Sequence, residues 1–202
     1  MKPDETASEI GVLLLAAGAS VRMGRPKQLL EWAGEPMVRR MARIGMQVGC
    51  GPVWVVAGAH AEEVLTAIED LPVESFFFPG WAEGMGASLR AGLAAMLQSR
   101  LSLEAVLVLL VDQPLVDTAY LNQLVMHFRR SGMPITASAY AGTLGPPAIF
   151  SRDLFPELLL LEGEKGAKSL LHRHPDACFS VPFPSGAYDL DTPGDWEKRK
   201  LL

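Results

Sequence analysis

Residues 10–27 read Ile10-Gly-Val-Leu-Leu-Leu-Ala-Ala17-Gly18-Ala-Ser-Val-Arg22-Met-Gly24-Arg25-Pro-Lys27. The first eight are apolar without alternation, as in a strand buried on both faces of a parallel sheet. A loop of Gly, Ser, Arg, Pro and Lys follows at once, at the carboxyl end of that strand. Open parallel sheets bind their ligands there. Glycines allow close approach of the backbone to an anion, successive N–H groups can form a nest, and Arg22, Arg25 and Lys27 bring positive charge. No Gly-Lys-Ser/Thr ends the loop, which disfavours P-loop chemistry.

Outward from this junction, strands and helices alternate. Met37, Met41, Ile44 and Val48 predict a helix opened by Glu35-Pro36 and closed by Gly49 and Gly51. A strand at 53–57, a short helix at 61–69 and a strand at 73–78 come next. A second glycine-rich loop, Gly84-Met-Gly86, feeds a helix whose Leu89, Leu93, Met96 and Leu97 form one stripe. The most apolar strand, 105–111, stops at Asp112-Gln-Pro114, and a helix with Leu121, Leu124, Val125 and Phe128 inward leads to a strand at 135–140. The pattern predicts βαβ units, hence an α/β fold: a three-layer, Rossmann-like, mostly parallel twisted sheet. The last quarter breaks the rhythm with Gly145-Pro-Pro147, a short strand at 148–150, two short helices and a strand around 179–182. No linker precedes it, so residues 10–202 are expected to form one domain behind a flexible tail at 1–9.

A chain of 202 residues buries roughly 70% of its unfolded surface and needs no staple. Its formal charge of −5 argues against nucleic acid or an anionic membrane surface as the main partner. The apolar runs at 12–17 and 105–111 fall well short of the roughly 20 residues of a membrane span. The N-terminus has mixed charge and no apolar signal core. Cys50 and Cys178 lack CxxC spacing, so they are expected to be reduced packing residues of a cytoplasmic protein.

Three loops are suited to chemistry: 18–27, 84–88 and 112–114. Between Ser20 and Arg43 stand six basic residues, Arg22, Arg25, Lys27, Arg39, Arg40 and Arg43, against only Glu31 and Glu35. That cationic stretch in an acidic chain suits a polyphosphate; the alternative is a solvated loop before an amphipathic helix. Asp112 at the end of an apolar strand is costly unless it meets a cation, although a helix N-cap before Pro114 would also suit it. Asp189 and Asp191 are two apart and share a side of an extended segment, or else form a turn before a C-terminal helix. Asp195 reads as a helix-start residue, and His172-x-His174 with Asp176 as a solvated turn. Trp81 suits either a loop anchor or a ring-stacking surface, and Met37, Met41 and Met46 are helix packing.

The stretch Leu15-Ala-Ala-Gly18-Ala-Ser20-Val-Arg22-Met-Gly24-Arg-Pro-Lys27 closely resembles the signature LAAGxSxRMGxxK of the MobA-like nucleotidyltransferases, the family of the molybdenum-cofactor guanylyl- and cytidylyltransferases. The resemblance continues through Gly84-Met-Gly-Ala-Ser88-Leu-Arg-Ala-Gly92-Leu, Val111-Asp112-Gln-Pro114, Gly163-Glu-Lys-Gly166-Ala-Lys168 and Tyr188-Asp-Leu-Asp191-Thr-Pro193-Gly-Asp195. These later motifs look most like the cytidylyltransferase branch. The resemblance implies a fold of the nucleotide-diphospho-sugar transferase type. It also implies a reaction in which the phosphate of molybdopterin attacks the α-phosphorus of CTP in line and pyrophosphate leaves. Such chemistry needs positioning and cations more than a general base.

Carried over residue by residue, the resemblance implies that Arg22 and Lys27 bind the triphosphate, with Lys27 nearest the α-phosphate. Leu15, Ala16, Ala17, Gly18 and Ser20 would edge the nucleotide, and Gly84, Gly86 and Ser88 would read the base. Asp112 would hold Mg²⁺, completed by Asp191 or Asp189, with Asp191 favoured. The implied partners are CTP or another NTP, a phosphate-bearing acceptor such as molybdopterin, and a recipient molybdoenzyme. The chain departs from the family where Gly145-Pro146-Pro147 stands for Gly-His-Pro and Lys168 for Arg; Lys loses the bidentate grip on phosphate. Competing readings are a sugar- or polyol-phosphate acceptor, an NAD(P)-dependent oxidoreductase and a non-catalytic cofactor carrier. Gly84-Met-Gly86 supplies two glycines of a dinucleotide fingerprint, but Leu89 stands where the third belongs.

Overall fold

The computed structural model describes residues 9–99, 102–164 and 166–198. The expected tail therefore lies outside the described residues except for Glu9, which opens the first strand.

Strands β1 (Glu9–Ala16), β2 (Glu31–Trp32) and β3 (Glu35–Pro36) precede helix α1 (Met37–Val48). There follow β4 (Val53–Ala57), α2 (Ala61–Thr66), β5 (Glu74–Phe77), α3 (Met85–Gln98), β6 (Leu103–Leu110) and α4 (Thr118–Ser131). The later part comprises β7 (Ile135–Tyr140), β8 (Thr143–Ser151), α5 (Phe155–Leu158), α6 (Lys168–Arg173), β9 (Cys178–Pro182) and α7 (Pro193–Lys198).

Seven strands form one sheet in the order β5-β4-β1-β6-β8-β7-β9, and β2 and β3 pair as a separate hairpin. β1, β4, β5 and β6 run parallel, β8 is antiparallel to both neighbours, and β9 pairs in parallel with β7. The expected α/β class and mostly parallel sheet are what the chain forms. The expectation that 10–17 is covered on both sides also holds. Ile10, Val12, Leu14 and Ala16 join a core packed by α1, α2 and α4, whereas Leu13, Leu15 and Ala17 join one packed by α3, α5 and α6. With side chains alternating along a strand, an unbroken apolar run is the requirement of two covering layers.

Three local expectations are refined. Glu35-Pro36 leads into α1, with Pro36 as the N-cap and Met37 as the first helical residue, but the same pair also forms a short strand against Glu31–Trp32. The turn between those strands uses Ala33 and Gly34 at positive φ, a two-residue hairpin inside what reads as loop. The short strand at 148–150 is the end of a nine-residue β8, joined to β7 through Ala141 and Gly142, both at positive φ. Its prolines are tolerated because the ladder shifts register between Ala137 and Ser138, opposite Pro146 and Pro147. The predicted helix at 61–69 ends at Thr66.

β1 lies between β4 and β6; the chain leaves β1 towards β4 and β5 on one side and crosses back from β5 to β6 on the other, so a crevice opens at the carboxyl ends of β1 and β6. Loop 18–27 and Asp112 sit at that crevice.

Candidate active site

A cavity of about 410 Å³ opens at this point. Of the residues singled out in the sequence, Leu15, Ala17, Gly18, Ser20, Arg22, Lys27, Gly84, Ser88, Asp112 and Asp191 line it. Ala16, Gly86 and Asp189 do not face it. Ala16 points into the opposite core, and its carbonyl accepts a bond from Gln28.

Gln28 holds the first loop in shape. Fully buried, it donates through Nε2 to the carbonyls of Ala16 at 3.0 Å and Gly18 at 2.6 Å. Its Oε1 accepts from Ser20 Oγ at 3.1 Å, and Ser20 Oγ in turn accepts from the backbone N–H of Lys27 at 3.0 Å. Ser20 is therefore a brace of the loop, and it adopts a left-handed conformation to serve as one. Sequence reasoning missed Gln28. A polar residue between Lys27 and Leu29 reads as loop surface, and only the tertiary structure turns it inward.

Charge gathers at one end of the cavity. Lys27 Nζ donates to Asp112 Oδ2 at 2.5 Å and to Asp191 Oδ1 at 3.3 Å, while Arg22 Nη2 donates to Asp191 Oδ2 at 2.9 Å. Burial works against the Lys27 ammonium, but the Asp112 and Asp191 carboxylates hold it above the ordinary lysine range. Asp189 lies behind them. Burial first, and then the charges of Asp112 and Asp191, push its carboxyl up to about 6. The segment is fixed by the backbone bond from Leu190 N to the carbonyl of Asp112 at 2.9 Å.

The alternative roles can now be sorted. Asp112 is not a helix N-cap: α4 begins at Thr118 and is capped by Asp117, whose carboxylate accepts from Tyr120 N at 2.7 Å. Asp195 is the helix-start residue expected, in a reciprocal pair with Thr192: Thr192 N donates to Asp195 Oδ2 at 2.9 Å and Asp195 N to Thr192 Oγ1 at 3.3 Å. Of the six basic residues between 20 and 43, only Arg22 and Lys27 line the cavity. Arg39 pairs with Asp70, Arg43 with Glu35, and Arg40 reaches the carbonyl of Pro114. The cationic face of α1 thus belongs to the scaffold. Arg25 lies over the ring of Trp196, 5.2 Å from its centroid.

The other end of the cavity is apolar and small, lined by Leu15, Ala17, Trp81, Ala82 and Met85. Ser88, buried at the first turn of α3, bonds back to the Gly84 carbonyl at 3.4 Å. The glycines here answer to packing. A methyl group on Gly84 would fall 2.5 Å from the carbonyl carbon of Gly163, and one on Gly86 would fall 3.0 Å from the carbonyl oxygens of Glu162 and Gly163. That same segment brings Glu164 to the cavity wall, a residue not singled out in the sequence.

Among the described residues, no three His, Cys, Asp or Glu side chains are grouped to hold a metal ion, so Asp112, Asp189 and Asp191 are not a ready-made triad. The arrangement nevertheless fits Mg²⁺, which takes one or two carboxylates and fills its shell with water and substrate phosphate oxygens. Oδ1 of Asp112 and Oδ1 of Asp189 are buried without a hydrogen-bond partner, and buried carboxylate oxygens left so call for a cation. His172 and Asp176 are exposed, as expected of a solvated turn, while His174 between them is half-buried, its Nε2 2.9 Å from Glu157 Oε1. Cys50 and Cys178 are free thiols, and burial pushes Cys50 up to about 11.

An α/β sheet with a cation–carboxylate cluster beside an apolar recess at the switch point suits nucleotidyl transfer, and comparison with known proteins shows the nucleotidyltransferase class. The model of the MobA-like NTP transferase domain matches residues 12–178, and the chain belongs to that family. It is 32% identical over 172 residues, 81% of each chain, to the nicotine blue oxidoreductase of Paenarthrobacter nicotinovorans. It is 33% identical over 130 residues to the molybdenum cofactor guanylyltransferase of Pseudomonas aeruginosa, covering 61% of this chain and 58% of that protein. The crystal structure of Rv0371c from Mycobacterium tuberculosis superposes with a TM-score of 0.81 at 32% identity, covering 98% of both chains. A second structure of that protein is a complex with manganese. Among the described residues no helix is long and apolar enough to cross a membrane.

Proposed function

We propose that this protein transfers CMP from CTP to the phosphate of molybdopterin and releases pyrophosphate, with Mg²⁺ at the carboxylates and residues 10–202 acting as one catalytic unit. The observation that carries the transfer reading is the bridge of Lys27 between Asp112 and Asp191 beside Arg22, at the strand ends where a triphosphate would lie. Lys27 and Arg22 neutralise the phosphates and the charge that builds up at the transferring phosphorus. Asp112 and Asp191 would hold the metal, with Asp189 behind them; bound there, it supplies charge neutralisation and orients the phosphate chain. The attacking phosphate is already ionised near neutral pH, so no general base is needed. The recess beside Trp81, Met85 and Ser88 would take the base, and the cytosine assignment is supported by the likeness of the later motifs to the cytidylyltransferase branch.

The test is pyrophosphate release with each of CTP, GTP, ATP and UTP, with and without Mg²⁺, across molybdopterin and sugar- or polyol-phosphate acceptors. Release with CTP and molybdopterin is expected; release only with GTP would reassign the base, and release only with another acceptor would reassign the second substrate. No release with any pair would overturn the transfer reading.

A second reading, an NAD(P)-dependent oxidoreductase, is favoured by the name of the Paenarthrobacter relative. The structure argues against a dinucleotide fingerprint in the second loop, because Gly86 is turned to the carbonyls of Glu162 and Gly163 and not to the cavity. A thermal-shift panel decides, since a ligand that binds the native state raises its melting temperature. A shift with NADPH and none with any NTP would reverse the ranking.

A further inference from the structure

Arg25 stands between the two cavity cations of the first loop, yet it reaches away from the cavity to Trp196 of α7, its guanidinium 5.2 Å from the ring centroid. Trp196 is buried and anchors an aromatic cluster. It meets Trp32 of the β2–β3 hairpin edge-on at 6.5 Å, and Trp32 meets Tyr188 at 6.4 Å. Tyr188 Oη donates to the carbonyl of Asp195. The segment 188–196, which carries Asp189 and Asp191, is thereby pinned to the hairpin that directly follows the first loop. On the other side, Asp191 receives Arg22 and Lys27 from that loop. Arg25 closes the circuit, because it is the loop residue placed on the aromatic anchor while its neighbours hold the carboxylate.

We propose that Arg25 is a positioning residue: stacked on Trp196, it fixes the phosphate-facing loop against segment 188–196 and so sets the spacing between Asp191 and the Arg22–Lys27 pair. Cation–π attraction suits this task, since a guanidinium stacks on indole while the rest of its charge stays in water. The kinetic half of the inference rests on the transfer reading above; the structural half does not.

The test compares Arg25→Met, which removes the charge at similar length, with Arg25→Lys, which keeps it. The Arg25 side chain is exposed, so both variants keep the core intact. Amide exchange is followed over residues 188–198 in the nucleotide-free protein, where the N–H groups of Leu190, Asp195 and Trp196 are hydrogen-bonded. In Arg25→Met, exchange there rises about fivefold, the scale of one cation–π contact. The transfer kcat falls by a similar factor while KM for the nucleotide stays within twofold, and Arg25→Lys, which keeps the cation–π attraction but loses the planar stack, restores both in part. Unchanged exchange in Arg25→Met, or no recovery in Arg25→Lys, would overturn the clamp. Faster exchange with unchanged kcat would overturn the positioning role. If the wild-type protein transfers no nucleotide, the functional reading fails by itself, and the exchange measurement still decides whether Arg25 holds the segment.

Discussion

The two glycine-rich loops at the cavity look alike in composition and differ in what their glycines are for. A methyl group on Gly18 would meet nothing within 4 Å, whereas one on Gly84 would strike the backbone of Gly163 at 2.5 Å, with Gly84 itself at φ +114°. The first loop is open on its cavity side and braced from behind by buried Gln28. The second is closed from behind by the chain at 162–164, so its glycines let one backbone pass another. A glycine can thus mark a place kept free for a ligand or a place already filled by the protein, and composition does not distinguish them. The cations divide in the same way, between Arg22 and Lys27 in the cavity and Arg39, Arg40 and Arg43 committed to the scaffold.

The largest effect is expected from the cavity cation. Lys27→Ala should lower the transfer rate by roughly 100- to 1,000-fold, the usual loss when one preorganised transition-state donor is removed, and should also lower the unfolding midpoint, because it leaves the Asp112 and Asp191 carboxylates without their shared cation. Steady-state pyrophosphate release measures it, and a loss below tenfold would place the reaction elsewhere. Gly84→Ala comes next and acts on stability. Positive φ and backbone overlap together should cost about 2–4 kcal/mol in urea unfolding. Gly86→Ala should cost less, about 1 kcal/mol, because at 3.0 Å the neighbouring carbonyls need yield only slightly. If Gly84→Ala proved neutral in stability, the packing account of the second loop would be wrong.

Gly18→Ala is the complementary test. It should leave the unfolding midpoint unchanged and weaken nucleotide binding, measured by titration calorimetry; a loss of stability with intact binding would make the two loops equivalent. The smallest effect concerns the scaffold cations. The Arg39 guanidinium holds the Asp70 carboxyl well down, to about 2 from 3.8. A carboxylate with a lowered native pKa stabilises the fold above its unfolded value, and that contribution fades as pH falls from about 4 through about 2. Asp70→Asn should therefore flatten the acid limb of the stability profile slightly and leave catalysis untouched. A change in transfer rate would show that the α1 cations do reach the active site.

Much of the fold was legible from the chain. The unbroken apolar run at 10–17, set against the stripes of the following helices, announces a covered parallel sheet through its periodicity. The β2–β3 hairpin was not legible, since two-residue strands leave no period to read. The full length of β8 was hidden by Pro146 and Pro147, which a sheet accepts only at an irregularity in its ladder. At the cavity, Arg22, Lys27, Asp112 and Asp191 were singled out in the sequence through motifs that resemble those of the family, and each carries charge next to a strand end or turn. Gln28 and Glu164 were missed because nothing in a neutral amide or a loop carboxylate says which way it faces.

The sequence by itself determined the layered architecture, the strand ends at which the loops suited to chemistry fall and the charged groups those loops carry, because periodicity and charge are local properties. The tertiary structure alone decided where the other four cations of the stretch are committed, which glycines are filled by neighbouring chain, and that Asp189 lies behind Asp191. These depend on residues as much as 169 positions apart, as in the pair Arg22–Asp191, and such separations are closed by packing.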